Sequence, residues 1–479
     1  MARDRIRDAD RGAREPGSRN CAAPIDLRES PLCTRLKRVA ALVTLVQLGR
    51  RVARRLSPGA GLRTVRWLVG VVAAIRSRRR EPRLTVAVDV LPLWEPLTGV
   101  GWYLERLITA LAGRDDIRLR LYGQALVEAP EMPGPVTPLP EGPAIERVVY
   151  SLPDDLVLSR RWLLPLVRRV QPLLLAADGN RVVFAPNYIL PPLFRLARAP
   201  LVATVHDLAI RVVPWAVRPD TRLAMERRLE RTLYEARLLI TPAHAVAGDL
   251  VHHRLAHPSR VRVIHHGPGQ LTPFPGTQSS RSTDRSEPDR SASSAVGSLE
   301  AYLLYVGTLE PRKNLPTLLA AVTHLNQWGR KIPLVLVGRY GWLAEDLRSR
   351  IEAATAAGWL HHLGYLSPGD LRAVYRGATI VAVPSLYEGF GLPAIEAMSA
   401  GVPVVLSDIP VFREIAGGAA LYADPRSPEA WAGQLARLLD DPGLRRELVA
   451  RGRARASGFT WERAAERHAE ILREAAGIR

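Results

Sequence analysis

The sequence predicts an α/β protein in which two Rossmann-like, doubly wound domains face each other across a cleft. Its 479 residues are too many for one ordinary domain. Short apolar runs alternate with helix-like segments, which is typical of a parallel sheet covered by helices. This alternation occurs twice, on either side of a serine-rich stretch. Because ligands bind beyond the carboxyl ends of the strands in open α/β sheets, two such domains predict a site between them.

The first domain is predicted to span residues 84–271. Apolar and β-branched runs indicate its strands, and amphipathic segments indicate its helices. We expect strands at 84–90, 182–185, 201–205, 238–241 and 261–264, and helices at 102–112, 220–235 and 243–254.

Serines and charged residues dominate the stretch 272–299, which has too few apolar residues to order itself and predicts a flexible linker. The second domain follows at 300–459, and the last segment, 460–479, is predicted to be mostly helical. We expect strands at 302–306, 334–337, 360–363, 379–383 and 404–407, and helices at 315–328, 343–356, 368–375, 393–400, 427–439, 443–455 and 460–475.

Residues 1–83 form a strongly basic extension. They hold 21 Lys and Arg against 7 Asp and Glu, a net of +14, so the other 396 residues carry only +6 of the total of +20. Two apolar stretches flanked by arginines, 39–48 and 67–75, have about half the length of a spanning helix. They predict a peripheral helix whose arginines face anionic lipid. The alternatives are a solvated tail and a start codon placed too far upstream.

The charge and cysteine content exclude several classes of protein. The two cysteines, Cys21 and Cys33, cannot form a disulfide framework or a cysteine zinc site. No apolar run approaches 18 residues, so a spanning helix is not expected. Nucleic-acid binding is not expected either, because the basic extension lacks interleaved aromatics and the body is nearly neutral. We expect a cytoplasmic protein with peripheral contact to the inner face of the plasma membrane.

The sharpest motif is the stretch 384–401, PSLYEGFGLPAIEAMSAG, after a predicted strand. Gly389 and Gly391 allow a tight turn, and the amides of Phe390 to Leu392 would lie at a helix N-terminus, which favours anions. The carboxylates of Glu388 and Glu396 flank this anion site. A ligand that carries both phosphate and sugar hydroxyls would suit this mixture. The alternative for Glu396 is that it only complements the helix dipole.

The second motif is the stretch 302–315, YLLYVGTLEPRKNL, in which Gly307 follows a strand and Arg312 and Lys313 precede a helix. Two cations at a helix N-terminus suit a diphosphate, since arginine binds oxygens in a bidentate manner and lysine adds a point charge. Asn314 is the expected N-cap.

Two weaker motifs lie in the first domain. His206 and Asp207 end a predicted buried strand, where an active site would lie, although a structural histidine would also suit this position. Gly99 and Gly101 lie in a predicted loop, TGVGWY, between a strand and a helix. This loop lacks the GxGxxG pattern of dinucleotide-binding proteins.

Together these motifs resemble the retaining glycosyltransferases of the GT-B fold, in the large group 1 (GT4) family. The resemblance covers about residues 84–477. It rests on the pair Glu388–Glu396 in a Glu-x7-Glu motif, on Arg312–Lys313, on His206–Asp207 and on the glycine loop Gly99–Gly101. Within the family the sequence is similar to bacterial mannosyl- and rhamnosyl-type transferases of surface polysaccharide assembly.

The resemblance implies a role for each motif. Arg312, Lys313 and the amides of Gly391 and Leu392 would bind the donor diphosphate. Glu396 would hold the ribose, and the expected catalytic residues, Glu388 and His206, would contact the donor sugar. The remaining residues expected to bind substrate are Gly99, Gly101, Asp207, Gly307, Gly338, Gly389 and Phe390. The final helix would cross back onto the first domain.

The implied partners are a nucleotide-sugar donor and a saccharide or lipid-linked acceptor. No cofactor is expected, because the nucleotide sugar is a substrate. No metal is expected either, since the one Asp-x-Asp motif, Asp8-Ala9-Asp10, lies in the basic extension. Sequence alone leaves two alternatives open. One is another GT-B-like enzyme, an epimerase or a phosphorylase, and the other is a non-enzymatic protein that binds nucleotide sugars or nucleic acid.

Overall fold

Two separate parallel sheets organise the protein, seen here in a computed structural model. The structure describes residues 81–93, 99–122, 139–148, 178–189, 199–269 and 299–478. The predictions for the basic extension up to residue 80 and for the linker 272–298 lie outside these residues. Among the described helices, none has the length and apolar character needed to cross a bilayer.

The first sheet has seven strands in the order β3-β2-β1-β4-β5-β6-β7, and all its pairs are parallel. Its strands are β1 (Leu84–Asp89), β2 (Ile117–Tyr122), β3 (Ile145–Arg147), β4 (Val182–Ala185), β5 (Leu201–Thr204), β6 (Leu238–Thr241) and β7 (Val261–Val263). Its helices are α1 (Gly99–Leu111), α2 (Ala209–Val212), α3 (Pro219–Glu235) and α4 (His244–His252). The strand order reverses between β1 and β4, which makes the ends of these strands the switch point of the sheet.

The second sheet has six parallel strands in the order β10-β9-β8-β11-β12-β13, with its switch point between β8 and β11. Its strands are β8 (Leu303–Val306), β9 (Leu334–Val337), β10 (Leu360–His362), β11 (Ile380–Val383), β12 (Val404–Ser407) and β13 (Leu421–Ala423). Its helices are α5 (Leu315–Gln327), α6 (Glu345–Ala356), α7 (Pro368–Gly377), α8 (Leu392–Ala400), α9 (Pro410–Ala416), α10 (Pro428–Asp440) and α11 (Pro442–Ala456).

Both faces of the second sheet are buried. Leu304 and Val381 face a core that includes Ile395 of α8, whereas their neighbours Leu303 and Ile380 face a second core on the other side of the sheet. Burial of both faces explains why these strands are continuous apolar runs. The predicted α/β class with two doubly wound domains is therefore confirmed.

The last helix, α12 (Trp461–Ala476), packs on the first domain. Its Ala465 and Leu472 share a core with Leu104 of α1 and Val86 of β1. The chain therefore crosses between the domains twice, once after β7 and once before α12.

The sequence analysis missed three strands, β2, β3 and β13, and the short helices α2 and α9. Strand β2 carries Arg118 and Arg120 between its apolar residues, which interrupts the apolar run that marks a buried strand. Arg120 is nevertheless buried, because its Nε lies 3.0 Å from a carboxylate oxygen of Glu146 and its Nη1 donates to the backbone oxygen of Asp178. An arginine whose charge and N–H groups have partners can thus be buried in a strand that the pattern of apolar residues does not predict.

The prediction that Gly99 and Gly101 lie in a loop is also corrected by the structure. Helix α1 begins at Gly99 rather than at Trp102, so Gly99 and Gly101 belong to its first turn. The side chains of Tyr103, Leu104 and Leu107 form the buried face of α1, and this face holds the helix on the sheet. The role of the two glycines in substrate binding stays a prediction.

Candidate active site

The two motifs of the second domain meet at the switch point of its sheet. Arg312 and Lys313 follow β8 and lie on a short 3-10 turn, Pro311–Lys313. Glu388 follows β11. These are the two strands between which the strand order reverses. The topology therefore brings the cations and the carboxylate together where an open α/β sheet binds its ligand.

Glu388 forms an ion pair with both cations. Its Oε1 lies 2.6 Å from Nζ of Lys313 and also accepts from the Ser385 hydroxyl at 2.7 Å. Its Oε2 lies 3.3 Å from Nη1 of Arg312. The predicted contact of Glu388 with the donor sugar stays a prediction, and the geometry adds that Glu388 holds the two cations in position.

Arg312 is fixed from two sides. Its Nη2 donates to the carboxylate of Glu310 at 2.8 Å, and its Nη1 donates to the backbone oxygen of Tyr387 at 3.1 Å. Burial alone would lower the pKa of Arg312, but the carboxylates of Glu388, Asp207 and Glu310 raise it. Burial likewise would raise the pKa of Glu388, but Lys313 and Arg312 lower it below its usual value. Arg312 and Glu388 therefore both carry their charges at neutral pH.

The start of α8 lies at the same edge of the sheet as these cations, because α8 follows β11, the neighbour of β8. Gly391 precedes the helix with φ 88°, a left-handed conformation that favours glycine. Helix α8 begins at Leu392, so the amides at its N-terminus have no intrahelical acceptor. Amides and cations on the same side of the sheet suit a diphosphate.

Asn314 does not cap α5 as predicted. It is in the left-handed region, with φ 57°, and makes no side-chain capping bond. Its Nδ2 instead donates to the backbone oxygens of Pro384 at 3.0 Å and Pro425 at 2.6 Å. Asn314 thus ties the Arg312–Lys313 turn to the end of β11.

Glu396 lies on α8, buried between the two domains. Its Oε2 accepts from the Tyr375 hydroxyl at 3.0 Å, and its Oε1 lies against the backbone of Gly269, at the end of the first domain. Its predicted contact with a ribose stays a prediction.

Gly307 and Gly338 end the neighbouring strands β8 and β9 and touch each other. A Cβ added to Gly338 would lie 2.0 Å from the backbone oxygen of Gly307. The two loops can therefore pack together at the ends of β8 and β9 only without this side chain. Their contact with substrate stays a prediction.

The first domain contributes His206 and Asp207, which follow β5. His206 Nε2 lies 2.7 Å from the backbone oxygen of Pro186, which can only accept, so this nitrogen is the donor. Burial lowers the pKa of His206 and keeps the ring neutral. Nδ1 therefore carries a lone pair and can accept a hydrogen bond from a sugar hydroxyl. Asp207 accepts from the backbone N–H of Ala209 at 3.0 Å.

Both domains contact each other around these residues. Gly389 packs so closely on His206 that an added Cβ would lie 2.0 Å from the His206 backbone oxygen. The Tyr387 hydroxyl accepts from the backbone N–H of Leu208 at 3.1 Å and donates to Asp249 at 2.8 Å. Trp342 donates from its indole N–H to the backbone oxygen of Ala216 at 2.6 Å. The cleft is closed in this structure.

A cavity of about 320 Å³ remains between the domains. His206, Asp207 and Arg312 line it together with the apolar side chains of Ile210, Met225 and Trp342. The cavity is therefore lined by the predicted catalytic residue His206 of the first domain and by Arg312 of the second, which is predicted to bind the diphosphate.

Comparison with known proteins identifies the family. The model of Glycosyltransferase Family 4 matches residues 97–267, and that of Glycosyl transferases group 1 matches residues 287–455. The O-antigen chain mannosyltransferase B of Escherichia coli is 33% identical over 396 residues, which cover 78% of this chain and 94% of that protein. The chain belongs to the group 1 glycosyltransferases. A D-inositol 3-phosphate glycosyltransferase of Actinosynnema mirum is 30% identical to this glycosyltransferase over 415 residues, covering 80% and 94% of the two chains.

Solved structures agree on the fold of this glycosyltransferase. Sucrose-phosphate synthase from Thermosynechococcus elongatus superposes with a TM-score of 0.59 at 22% identity, over 82% of this chain and 99% of that chain. The predicted GT-B fold is thus confirmed.

Several residues of the glycosyltransferase site were missed by the sequence analysis. Glu310 and Tyr387 lie inside the quoted motifs. Their positions in the sequence, two residues before Arg312 and directly before Glu388, could have marked them as site residues. Tyr103 ends the quoted motif TGVGWY but was not singled out, and His468 lies outside all the quoted motifs. Tyr103 lies edge-on to His206 at 4.7 Å between ring centroids, and its hydroxyl is 2.9 Å from Nε2 of His468 on α12. The final helix thus supports the packing around His206.

Proposed function

We propose that this glycosyltransferase moves a hexosyl group, mannosyl first among the candidates, from a GDP- or UDP-sugar to a saccharide or lipid-linked acceptor. We further propose that the anomeric configuration is retained and that the product belongs to a cell-surface polysaccharide. The observation that carries the proposal is the meeting of Arg312, Lys313 and the start of α8 at one switch point, opposite His206. The O-antigen relative supports the choice of mannose and of a polysaccharide acceptor.

In the proposed reaction the anomeric bond breaks and negative charge develops on the β-phosphate. Arg312, Lys313 and the first amides of α8 stabilise this charge, because they are fixed before the donor binds. An ammonium group has three N–H donors, and among the described residues Lys313 spends one on Glu388, which leaves donors for phosphate oxygens. We therefore propose that transfer needs no metal ion or cofactor.

The acceptor would enter from the first domain. Neutral His206 would accept a hydrogen bond from a sugar hydroxyl, and the apolar wall near Ile210 and Met225 would lie along the less polar face of the acceptor. We also propose that the basic extension places the enzyme on an anionic membrane, at the inner face of the plasma membrane. No role in nucleic-acid binding is proposed.

The test is a panel of UDP- and GDP-sugars, each incubated with the full chain and with simple saccharide acceptors. The proposal predicts release of the nucleoside diphosphate that depends on the acceptor, and NMR of the product should show the anomeric configuration of the donor. Conversion of the donor into an epimeric nucleotide sugar without an acceptor would indicate an epimerase. A requirement for free phosphate would indicate a phosphorylase. Either result would refute glycosyl transfer.

A further inference from the structure

Three side chains that commonly bind metals meet where the two domains touch, away from the residues that line the cavity. His244 begins α4, and His265 follows β7 by two residues, both in the first domain. Glu414 lies on α9 of the second domain. One ligand atom from each lies within 4.8 Å of the other two. None of these residues belongs to the donor site described above.

The Glu414 carboxylate is held in a fixed orientation. Its Oε1 accepts from the backbone N–H of His244 at 2.8 Å, and its Oε2 accepts from that of Ala245 at 3.0 Å. Hydrogen bonds of this kind orient a ligand before a metal arrives. Both bonds use backbone groups, so the imidazole of His244 is not needed for them.

Oε1 of Glu414 also contacts the imidazole of His265, through a ring nitrogen that commonly binds metals. Nε2 of His265 lies 2.8 Å from this oxygen. The carboxylate can only accept when ionised, so Nε2 donates its proton to it. Burial would raise the pKa of Glu414, but the bonds from His265, His244 and Ala245 lower it. An ion that replaces the proton on Nε2 would keep both backbone bonds.

Charges around the three side chains affect how tightly they could bind a metal cation. Arg455 donates to the backbone oxygens of Glu414 and Ile415 at 2.7 and 2.8 Å, so its guanidinium is bound to carbonyls near the cluster. This cation and the N-terminus of α4 both disfavour a further positive charge. Two imidazoles and one carboxylate nevertheless form a ligand set that Zn²⁺ uses with water in a fourth position. A hard cation such as Mg²⁺ would prefer oxygen ligands.

We propose that His244, His265 and Glu414 form a divalent transition-metal site, with Zn²⁺ as the reference ion, which links the two domains. Zn²⁺ binds Nε2 of His265 and Oε1 of Glu414, and the ring proton moves from Nε2 to Nδ1 by exchange with solvent, so that His265 binds as a neutral imidazole. The exposed His244 ring swings to supply the third ligand. Ligand atoms in a tetrahedral zinc site are about 3.3 Å apart, so the side chains shift by about an ångström. The ion strengthens a contact that already exists and takes no part in sugar transfer.

The test is isothermal titration of the EDTA-treated full chain with Zn²⁺, together with thermal unfolding with and without the ion. The wild type should bind Zn²⁺ saturably and gain thermal stability, since an ion that binds only the folded state stabilises it. His244→Ala leaves the backbone bonds to Glu414 intact and should weaken binding at least about tenfold. His265→Gln keeps an N–H donor for Glu414 and should weaken binding similarly without changing the Tm of the metal-free protein.

His252→Ala is the matched control, because His252 is also on α4 but outside the cluster. It should bind Zn²⁺ as the wild type does. Cys21 and Cys33 are present in every variant, so any zinc that they hold is common to all. Wild-type affinity in His244→Ala or His265→Gln would overturn the proposal, and so would the absence of saturable binding below about 100 µM. Binding and Tm are the readouts, so the result does not depend on the donor assignment.

Discussion

Gly389→Ala tests the closed contact between the two domains. In the structure, the Cβ of alanine would lie 2.0 Å from the His206 backbone oxygen and 3.1 Å from Cβ of Asp207. An unstrained contact between carbon and a carbonyl oxygen is about 3.3–3.6 Å. The obstacle is backbone rather than a flexible side chain, so the domains must separate by about 1.5 Å at this point.

The expected cost follows from this displacement. Misplacement of reacting groups by about 1 Å can reduce the rate by about 100-fold. We therefore expect kcat/KM to fall at least about 100-fold, which corresponds to about 2.7 kcal/mol. Nucleoside diphosphate binding should change far less, because Arg312, Lys313 and α8 all belong to the second domain.

The assay is steady-state transfer from the best donor of the panel, with titration of the nucleoside diphosphate and thermal unfolding as controls. Gly433→Ala is the matched variant, because an added Cβ at Gly433, on α10, meets no atom within 4 Å. It should keep wild-type kcat/KM. If Gly389→Ala transferred sugar at the wild-type rate, the closed contact would not be the working state of the cleft.

Three further predictions concern the metal, the extension and a buried carboxyl group. Transfer should survive excess EDTA, and a loss restored by Mn²⁺ would contradict transfer without a metal. A chain starting near Pro82 should lose most of its co-sedimentation with anionic vesicles, yet keep transfer to a soluble acceptor, and equal sedimentation of both chains would exclude the extension as anchor. Burial raises the pKa of Asp89 from 3.8 to about 7, so its ionisation destabilises the fold as pH rises between these values. Asp89→Asn should stabilise the protein at pH 8, by up to about 4 kcal/mol, in urea unfolding, and this gain should shrink as pH falls towards 4. A gain in the free energy of unfolding that did not vary with pH would contradict the raised pKa of Asp89.

The fold could be predicted because each buried strand of a doubly wound sheet is a short apolar run. The prediction failed where that signal was interrupted or short. Arg118 and Arg120 interrupt β2, and the burial of Arg120 is made acceptable by partners distant in sequence, among them Glu146 and the backbone oxygen of Asp178. Strand β13, with three residues, is too short for periodicity to detect.

The candidate site could be predicted only as separate motifs. The sequence placed Arg312, Lys313 and Glu388 beside helices and strands, but not in contact with one another. Their ion pairs depend on β8 and β11 being neighbours in the sheet, which local patterns do not encode. The contacts of Tyr387 and Trp342 depend on how the domains meet, and the pairing of Tyr103 with His468 joins residues 365 positions apart.

The central claim is that the cations at the second switch point hold the donor diphosphate. Lys313→Ala tests it most directly, because Glu388 keeps Arg312 and Ser385 as partners when Lys313 is removed. Lys331→Ala, an exposed lysine of the same domain, is the control. Arg312→Ala is less clean, because it would leave the buried Glu310 without this cation and would also destabilise the fold.

The measurement is kcat/KM for transfer, together with titration of GDP or UDP. We predict that Lys313→Ala lowers kcat/KM by about 10- to 1,000-fold and weakens nucleoside diphosphate binding, whereas Lys331→Ala matches the wild type. Wild-type kcat/KM and wild-type nucleotide affinity in a folded Lys313→Ala protein would contradict the account.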